Sequence, residues 1–366
     1  MNENNKAKSP IRTTQVFIPV IIGLAVIAWL FAREFKMEAL QSLEFSPRLL
    51  VCIIAAIIFM FGRDLGHFWR FRVITDKQLR WHQAIRVNYL CEFTSAVTPS
   101  AVGGSSFAVL YMYAEGLSLG RATTLVMATL FLDELFFVIT CPIVVALIPY
   151  TDLFGFNNAA DSYFITGLNL LFWLVYAGIT IWTSILFFGL FVKPRAVAHF
   201  LAWLFKFRPL RRWHHKMITL GDNMQSTSAE LKQRSFRWWL EAFAATALSW
   251  LSRYMVVNAL FWGFAPYADQ IIIFGRQVVV WVILMISPTP GGSGISEWLF
   301  AQYYGDLLHE SAQSITLIIA LFWRIISYYT YLVIGACIFP GLLRRLARRN
   351  AESSNPQNPH HDETNN

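Results

Sequence analysis

The chain reads as an all-α polytopic membrane protein, with about six spanning helices plus two re-entrant helical hairpins in an inverted repeat. Three observations predict this. Hydrophobic residues fill 56% of 366 positions and charged residues only 14%, outside the ordinary range of water-soluble domains. Apolar runs long enough for a bilayer-crossing helix recur along the sequence. Two of those runs are broken at their middles, at Thr98-Pro99-Ser100-Ala101-Val102-Gly103-Gly104-Ser105 and at Ser287-Pro288-Thr289-Pro290-Gly291-Gly292-Ser293-Gly294. Proline removes a backbone donor and glycine is costly to order, so neither stretch continues a helix. In hydrocarbon such backbone survives only against protein or a wet cavity.

The elements follow in order. Lys6, Lys8 and Arg12 precede the first run, about 16–32, which lacks a small-residue cleavage site. Arg33-Glu34-Phe35-Lys36 follows directly, so a retained helix is expected over a signal peptide. Further spans are expected at about 49–62, 122–149, 163–192, 238–264 and 312–340. The run 49–62 is short, and Leu65 to Trp69 complete it if Arg70 snorkels. The broken runs cover about 84–117 and 271–304. Loop 193–237 mixes Trp203, Phe205, Phe207, Trp213 and many Lys/Arg, the pattern of an interfacial amphipathic helix on anionic leaflet lipids. The membrane domain is expected over 1–345. Residues 346–366 are expected to be a polar, disordered cytoplasmic tail.

Loop charge orients the chain. Six Lys/Arg lie in Arg63–Arg86, ten in Lys193–Arg237 and four in Arg344–Arg349, whereas Thr151–Ser162, Ala265–Gln270 and Gly305–Ser311 carry none. Basic loops stay in the cytoplasm, which puts both termini inside, in a plasma (inner) membrane. Segment 84–117 then enters and leaves from the cytoplasm and 271–304 from outside, with one spanning helix after each. Inverted-topology repeats of this kind are associated with alternating access around a midplane site. Two short crossings per segment are the alternative. The net charge of +8 is accounted for by loop retention, and no nucleic-acid partner is expected. Cys52, Cys91, Cys141 and Cys337 have no disulfide or metal spacing, and no metal or cofactor is expected.

Ionisable residues at bilayer depth cost about 2.5–3.5 kcal/mol each on insertion scales and are functional candidates by default. Asp133 and Glu134 lie near the centre of 122–149, Arg253 of 238–264 and Arg324 of 312–340; Glu92 precedes the first break and Glu297 follows the second. They either line a polar cavity or lock helices together as ion pairs. Gly103, Gly104 and Ser105, and after Pro290 the run Gly291, Gly292 and Ser293, open the second helix of each hairpin. A helix N-terminus is a ready anion site. Glu297 stands where a capping acid would serve its own helix. Tyr328 and Tyr331 follow Arg324 at one and two turns, placed for headgroup hydrogen bonds or for helix packing.

Pro-Thr-Pro-Gly-Gly-Ser-Gly-Ile-Ser-Glu, followed by a helix and then Arg324, resembles the lysylphosphatidylglycerol synthase transmembrane region, the flippase-like domain family. Thr98-Pro99, Gly103-Gly104 and Gly116-Leu117-Ser118 before an acid-bearing helix resemble its first signature. The resemblance covers about residues 12–345. Phe107-Ala108-Val109-Leu110 and Leu132-Asp133-Glu134-Leu135 stand where such families often carry basic residues. The resemblance implies a flippase moving a polar-headed, anionic or aminoacylated lipid between leaflets, with the synthase's aminoacyl-transferase domain absent and no enzyme activity. A homo-oligomer is allowed. The rival readings are a membrane-embedded transferase acting on a lipid-linked substrate, with Glu92 and Glu297 as acid and base, and a non-transporting membrane anchor. Motifs for metal-hydrolase or serine-hydrolase chemistry are missing from the sequence.

Overall fold

Small residues decide how the centre of the molecule is built. Helix α1 (Pro47–Ile74) and helix α7 (Phe236–Phe264) cross in close contact. A Cβ on Gly66 would stand 2.7 Å from the Ala245 carbonyl oxygen and 2.8 Å from the Ser249 nitrogen. Gly62 faces Ser252, and Gly263 faces Cys52. Because the facing residue numbers fall along α7 as they rise along α1, the two helices are antiparallel. Ser249 Oγ donates to the Arg63 carbonyl across this seam, at 2.9 Å. Such small residues let membrane helices approach where water supplies no driving force.

The computed structural model describes residues 46–98, 103–154, 162–192, 228–289, 291–308 and 312–353. The expected first span at 16–32, most of loop 193–237, Pro99–Val102 and Pro290 lie outside these. All regular structure among the described residues is helical. After α1 come α2 (Trp81–Val97), α3 (Gly103–Ala114), α4 (Leu119–Leu147), the single turn α5 (Tyr150–Phe154) and α6 (Ser162–Phe187), which continues as a π turn over Phe188–Val192. After α7 come α8 (Gln270–Leu284), α9 (Ile295–Tyr304) and α10 (Ala312–Arg324). A π turn over Ile325–Tyr329 joins α10 to α11 (Thr330–Ser353).

Local chemistry sets the helix starts. Ser46, Ser118 and Ser235 accept backbone N–H groups at the first turns of α1, α4 and α7, and Asp269 accepts two at α8. These caps satisfy donors that a helix start leaves open. Among the described residues four helical stretches are long and apolar enough to cross a membrane: Pro47–Ile74, Leu119–Leu147, Gly167–Val192 and Ile318–Leu346. Helix α7 has the length, with 29 residues, but buries polar Ser249, Ser252 and Asn258 between its neighbours. Helices α2, α3, α8 and α9 have 17, 12, 15 and 10 residues, all below the roughly 20 a span needs.

The packing is reciprocal. Helix α2 lies against α3 and α11, while α8 lies against α9 and α4. The ends of each pair are pinned in the same way. In α2, Arg86 holds Glu115, just past α3, through two bonds of 2.9 and 2.8 Å. In α8, Arg276 holds Asp306, just past α9, through bonds of 2.5 and 2.9 Å. Arg276 therefore belongs to a helix.

Two boundaries differ from the sequence reading. Helix α1 runs through Arg63 and Arg70 to Ile74, so the expected basic loop shrinks to the turn at 75–80. It can do so because both arginines find internal partners. At the other end α11 continues helical to Ser353, taking in the first eight residues of the expected tail. Trp238 and Trp239 lie in the first turn of α7, not in the loop before it.

Candidate functional site

A belt of charge separates two hydrophobic cores. One core includes Met60 of α1, Phe136 to Ile148 of α4 and Tyr254 to Phe261 of α7. The other includes Phe71 and Ile74 of α1, Ala122 to Leu132 of α4 and Ala242 of α7. Between them lie Arg63, Asp64, His67 and Arg70 on α1, Asp133 and Glu134 on α4, and Arg253 on α7.

The α1 side of this belt is closed by pairing. Arg63, fully buried, is ion-paired with Asp64 at 2.9 Å and with Glu92 of α2. Its guanidinium stacks 4.9 Å from the Tyr331 ring centroid, and the Tyr331 hydroxyl donates to Asp64 Oδ2 at 2.8 Å. Arg70 pairs with Asp133 at 2.5 Å and lies 3.1 Å from His67 Nδ1. Trp250 Nε1 also donates to Asp133, at 2.8 Å. Asp133 therefore meets an arginine of α1, not Arg324.

The second break forms its own lock. Arg324 donates to the Gly291 carbonyl at 3.0 Å and to Ser293 Oγ at 2.9 Å, and pairs with Glu297 Oε1 at 2.6 Å. The other oxygen of Glu297 accepts the Gly294 N–H at 2.6 Å. Glu297 thus occupies the α9 start that the sequence offered to an external anion, and caps its own helix. Gly291 has φ of 56°, and a Cβ there would run into the Tyr328 ring. That ring also lies under Arg324, 3.9 Å from its guanidinium. The Tyr328 hydroxyl donates to the Ala96 carbonyl of α2 at 3.0 Å. One tyrosine therefore ties the second break to the end of the helix that leads into the first. Gly103, Gly104 and Ser105 form the first turn of α3; their side chains, like Pro290, lie outside the described residues.

Beside these locks opens a cavity of about 790 Å³. Its polar lining comprises Glu92 and Ser95 of α2, Glu134 of α4, Arg253 of α7, Ser296 of α9, and Arg324, Ser327, Tyr328 and Tyr331 of the α10–α11 helix; Gly291 and Gly292 add the edge of the break. Its lining from α6 is apolar throughout, with Leu171, Leu174, Val175, Gly178, Ile179 and Trp182. Of the four carboxylate and guanidinium groups in this lining, two have no ion pair among the described residues. Arg253 lies over Trp281, 4.0 Å from the ring centroid, and 5.6 Å from that of Trp250, with Nε unbonded. Glu134 has a buried, unbonded Oε2. Among the described residues no group of His, Cys, Asp and Glu could hold a metal.

Comparison with known proteins settles the family. The model for the lysylphosphatidylglycerol synthase TM region matches residues 16–335. The chain belongs to that family. It is also 22% identical to a "UPF0104 membrane protein" of Archaeoglobus fulgidus over 337 residues, covering 87% of this chain and 94% of the relative. No solved structure matches. The family and its helices make this a multi-pass membrane protein.

For this member of the synthase TM-region family, the structure brings Glu92, Glu134, Arg253, Arg324, Gly291, Gly292 and Tyr328 to one cavity. Asp133 and Glu297 serve the locks around it. Sequence reading missed the α1 cluster, because Arg63 and Arg70 were assigned to a loop. The signal was present in the spacing: Arg63, His67 and Arg70 stand at i, i+4 and i+7, one face of a helix. Tyr328 and Tyr331 both line the cavity with Arg324, and both also serve helix packing. The intervening π turn, which adds a residue per turn, carries Tyr331 to Arg63 while Tyr328 stays with Arg324.

Proposed function

We propose that this chain carries a polar-headed lipid between membrane leaflets, without headgroup chemistry of its own. The cavity is the supporting observation: charges of both signs and a long set of apolar side chains line the same space between the helices. A headgroup desolvated there meets fixed charges, and acyl chains lie along α6. The antiparallel α1 and α7, the exchanged partners of α2 and α8, and the two matching Arg–acid pins support an inverted repeat of two re-entrant hairpins. In this reading the basic turns and both termini face the cytoplasm of the plasma membrane, and loop 193–237 rests on anionic lipids.

The test is purified protein in liposomes with a fluorescent phospholipid and a membrane-impermeant quencher. Faster loss of inner-leaflet protection than in protein-free vesicles is expected. A rate equal to protein-free vesicles defeats the transport reading, and a chemically altered headgroup assigns a transferase instead. For topology, cysteines at Gln78 and Tyr267 are expected to react with an impermeant maleimide from opposite sides. Reaction of both from one side removes the inverted repeat.

A further inference from the structure

We infer that the transported headgroup carries one primary ammonium and one phosphodiester, and is net neutral; this rests on the lipid-transport reading above. The inference comes from asking which charges in the belt are already answered. Arg63 is paired with Asp64 and Glu92, Arg70 with Asp133, and Arg324 with Glu297. Those groups hold helices together and offer a ligand little that is free. Two ionisable side chains facing the cavity remain without an ion pair among the described residues, one of each sign: Glu134 and Arg253.

Each is presented in a way that selects its partner. Arg253 lies over the Trp281 ring, 4.0 Å from its centroid, a contact that takes up none of its N–H donors, and its Nε is unbonded. A guanidinium fork suits phosphate geometry. Glu134 has Oε2 removed from solvent with no donor to satisfy it. A buried carboxylate without a partner is costly, and a charge-assisted N–H bond removes that cost. A primary ammonium supplies such donors; a quaternary ammonium has none. An anionic headgroup such as phosphatidylglycerol satisfies Arg253 but offers Glu134 Oε2 only neutral hydroxyl donors, and adds net negative charge beside it. The indoles lining the cavity tolerate a choline headgroup without answering Glu134. The expected order is therefore phosphatidylethanolamine, then phosphatidylcholine, then phosphatidylglycerol.

Two measurements test this separately from transport itself. Native mass spectrometry of the detergent-purified protein with equimolar lipids reads retention directly. Phosphatidylethanolamine is expected to be retained roughly tenfold over phosphatidylglycerol, the scale of one charge-assisted hydrogen bond. E134Q is expected to abolish that preference while lipid is still retained, and R253Q to lower retention of all three lipids. Equal retention, or preference for phosphatidylglycerol, overturns the assignment while leaving transport intact. The same order is expected for transbilayer rates in liposomes. Equal rates for all three also overturn the headgroup assignment; no rate above protein-free vesicles overturns the transport reading beneath it. Glycerophosphoethanolamine has the same charges and no acyl chains. In large excess it is expected not to displace the lipid, and displacement reassigns the cavity to a soluble phosphoamine.

Discussion

The two sides of the charged belt use the same residue types to opposite ends. On the α1 side both guanidiniums of the belt have a carboxylate: Arg63 has two, and Arg70 has Asp133 with Thr246 and His67 alongside. On the cavity side Arg253 has indole rings and Glu134 has an unbonded oxygen. Arg324 stands between the two, facing the cavity yet fully engaged with the second break. A buried charge that is paired holds structure, because removing its partner strands the other charge. A charge left unpaired beside a cavity is a charge reserved for something else. Embedded charge therefore does not mark a binding site by itself; the state of its partners does.

The contrast breaks first, if it is wrong, at Arg63. R63A leaves Asp64 and Glu92 buried without their cation, and a loss of about 3–5 kcal/mol is expected. The readout is thermal unfolding of the detergent-solubilised protein, and a melting temperature near wild type would show that the α1 side is not held by pairing. R324A comes next. It releases Glu297, Ser293 and the Gly291 carbonyl together, so a drop in melting temperature is expected along with lost transport. Loss of transport with unchanged stability would move Arg324 to the group of reserved charges. R253Q is expected to behave in the reverse sense, melting within a few degrees of wild type while lipid retention falls. G66L tests the seam beneath both sides. Its side chain meets the Ala245 and Ser249 backbone, which cannot yield as a flexible side chain does, and poor yield of monodisperse protein is expected. The smallest effect belongs to Y328F. It removes one hydrogen bond to the Ala96 carbonyl, worth about 1 kcal/mol, while keeping the ring against Gly291. A modest shift in melting temperature with a clear change in transport rate would identify this link as the coupling between the two breaks.

Much of this was legible in the residues. The helix boundaries at 119–147, 162–192 and 236–264 fall within a few residues of the apolar runs, since hydrocarbon demands apolar length and nothing else supplies it. The breaks at 98–103 and 289–294 were legible because proline and glycine punctuate any helix. The family was legible in Pro-Thr-Pro-Gly-Gly-Ser-Gly-Ile-Ser-Glu and Arg324. Glu297 could be read as a cap from its spacing after Gly294. The α1 charges were harder, because an arginine at the end of an apolar run looks the same in sequence whether it snorkels to water or meets a carboxylate from another helix.

By itself, then, the sequence determined that the chain lives in a membrane, roughly where most of its helices lie, where their backbone is interrupted, and that Asp133, Glu134, Arg253 and Arg324 fall inside apolar helices. These properties depend on local composition, which chain neighbours specify. Only the tertiary structure decided that Asp133 answers Arg70, that Glu297 answers Arg324, and that Glu134 and Arg253 form no ion pair among the described residues. Pairing is set by which helices touch: the Gly62–Gly66 face of α1 on α7, and α2 and α8 against the long helices of the opposite half. Residues on helices far apart in the chain meet only after that packing is complete, and their roles are settled at that contact.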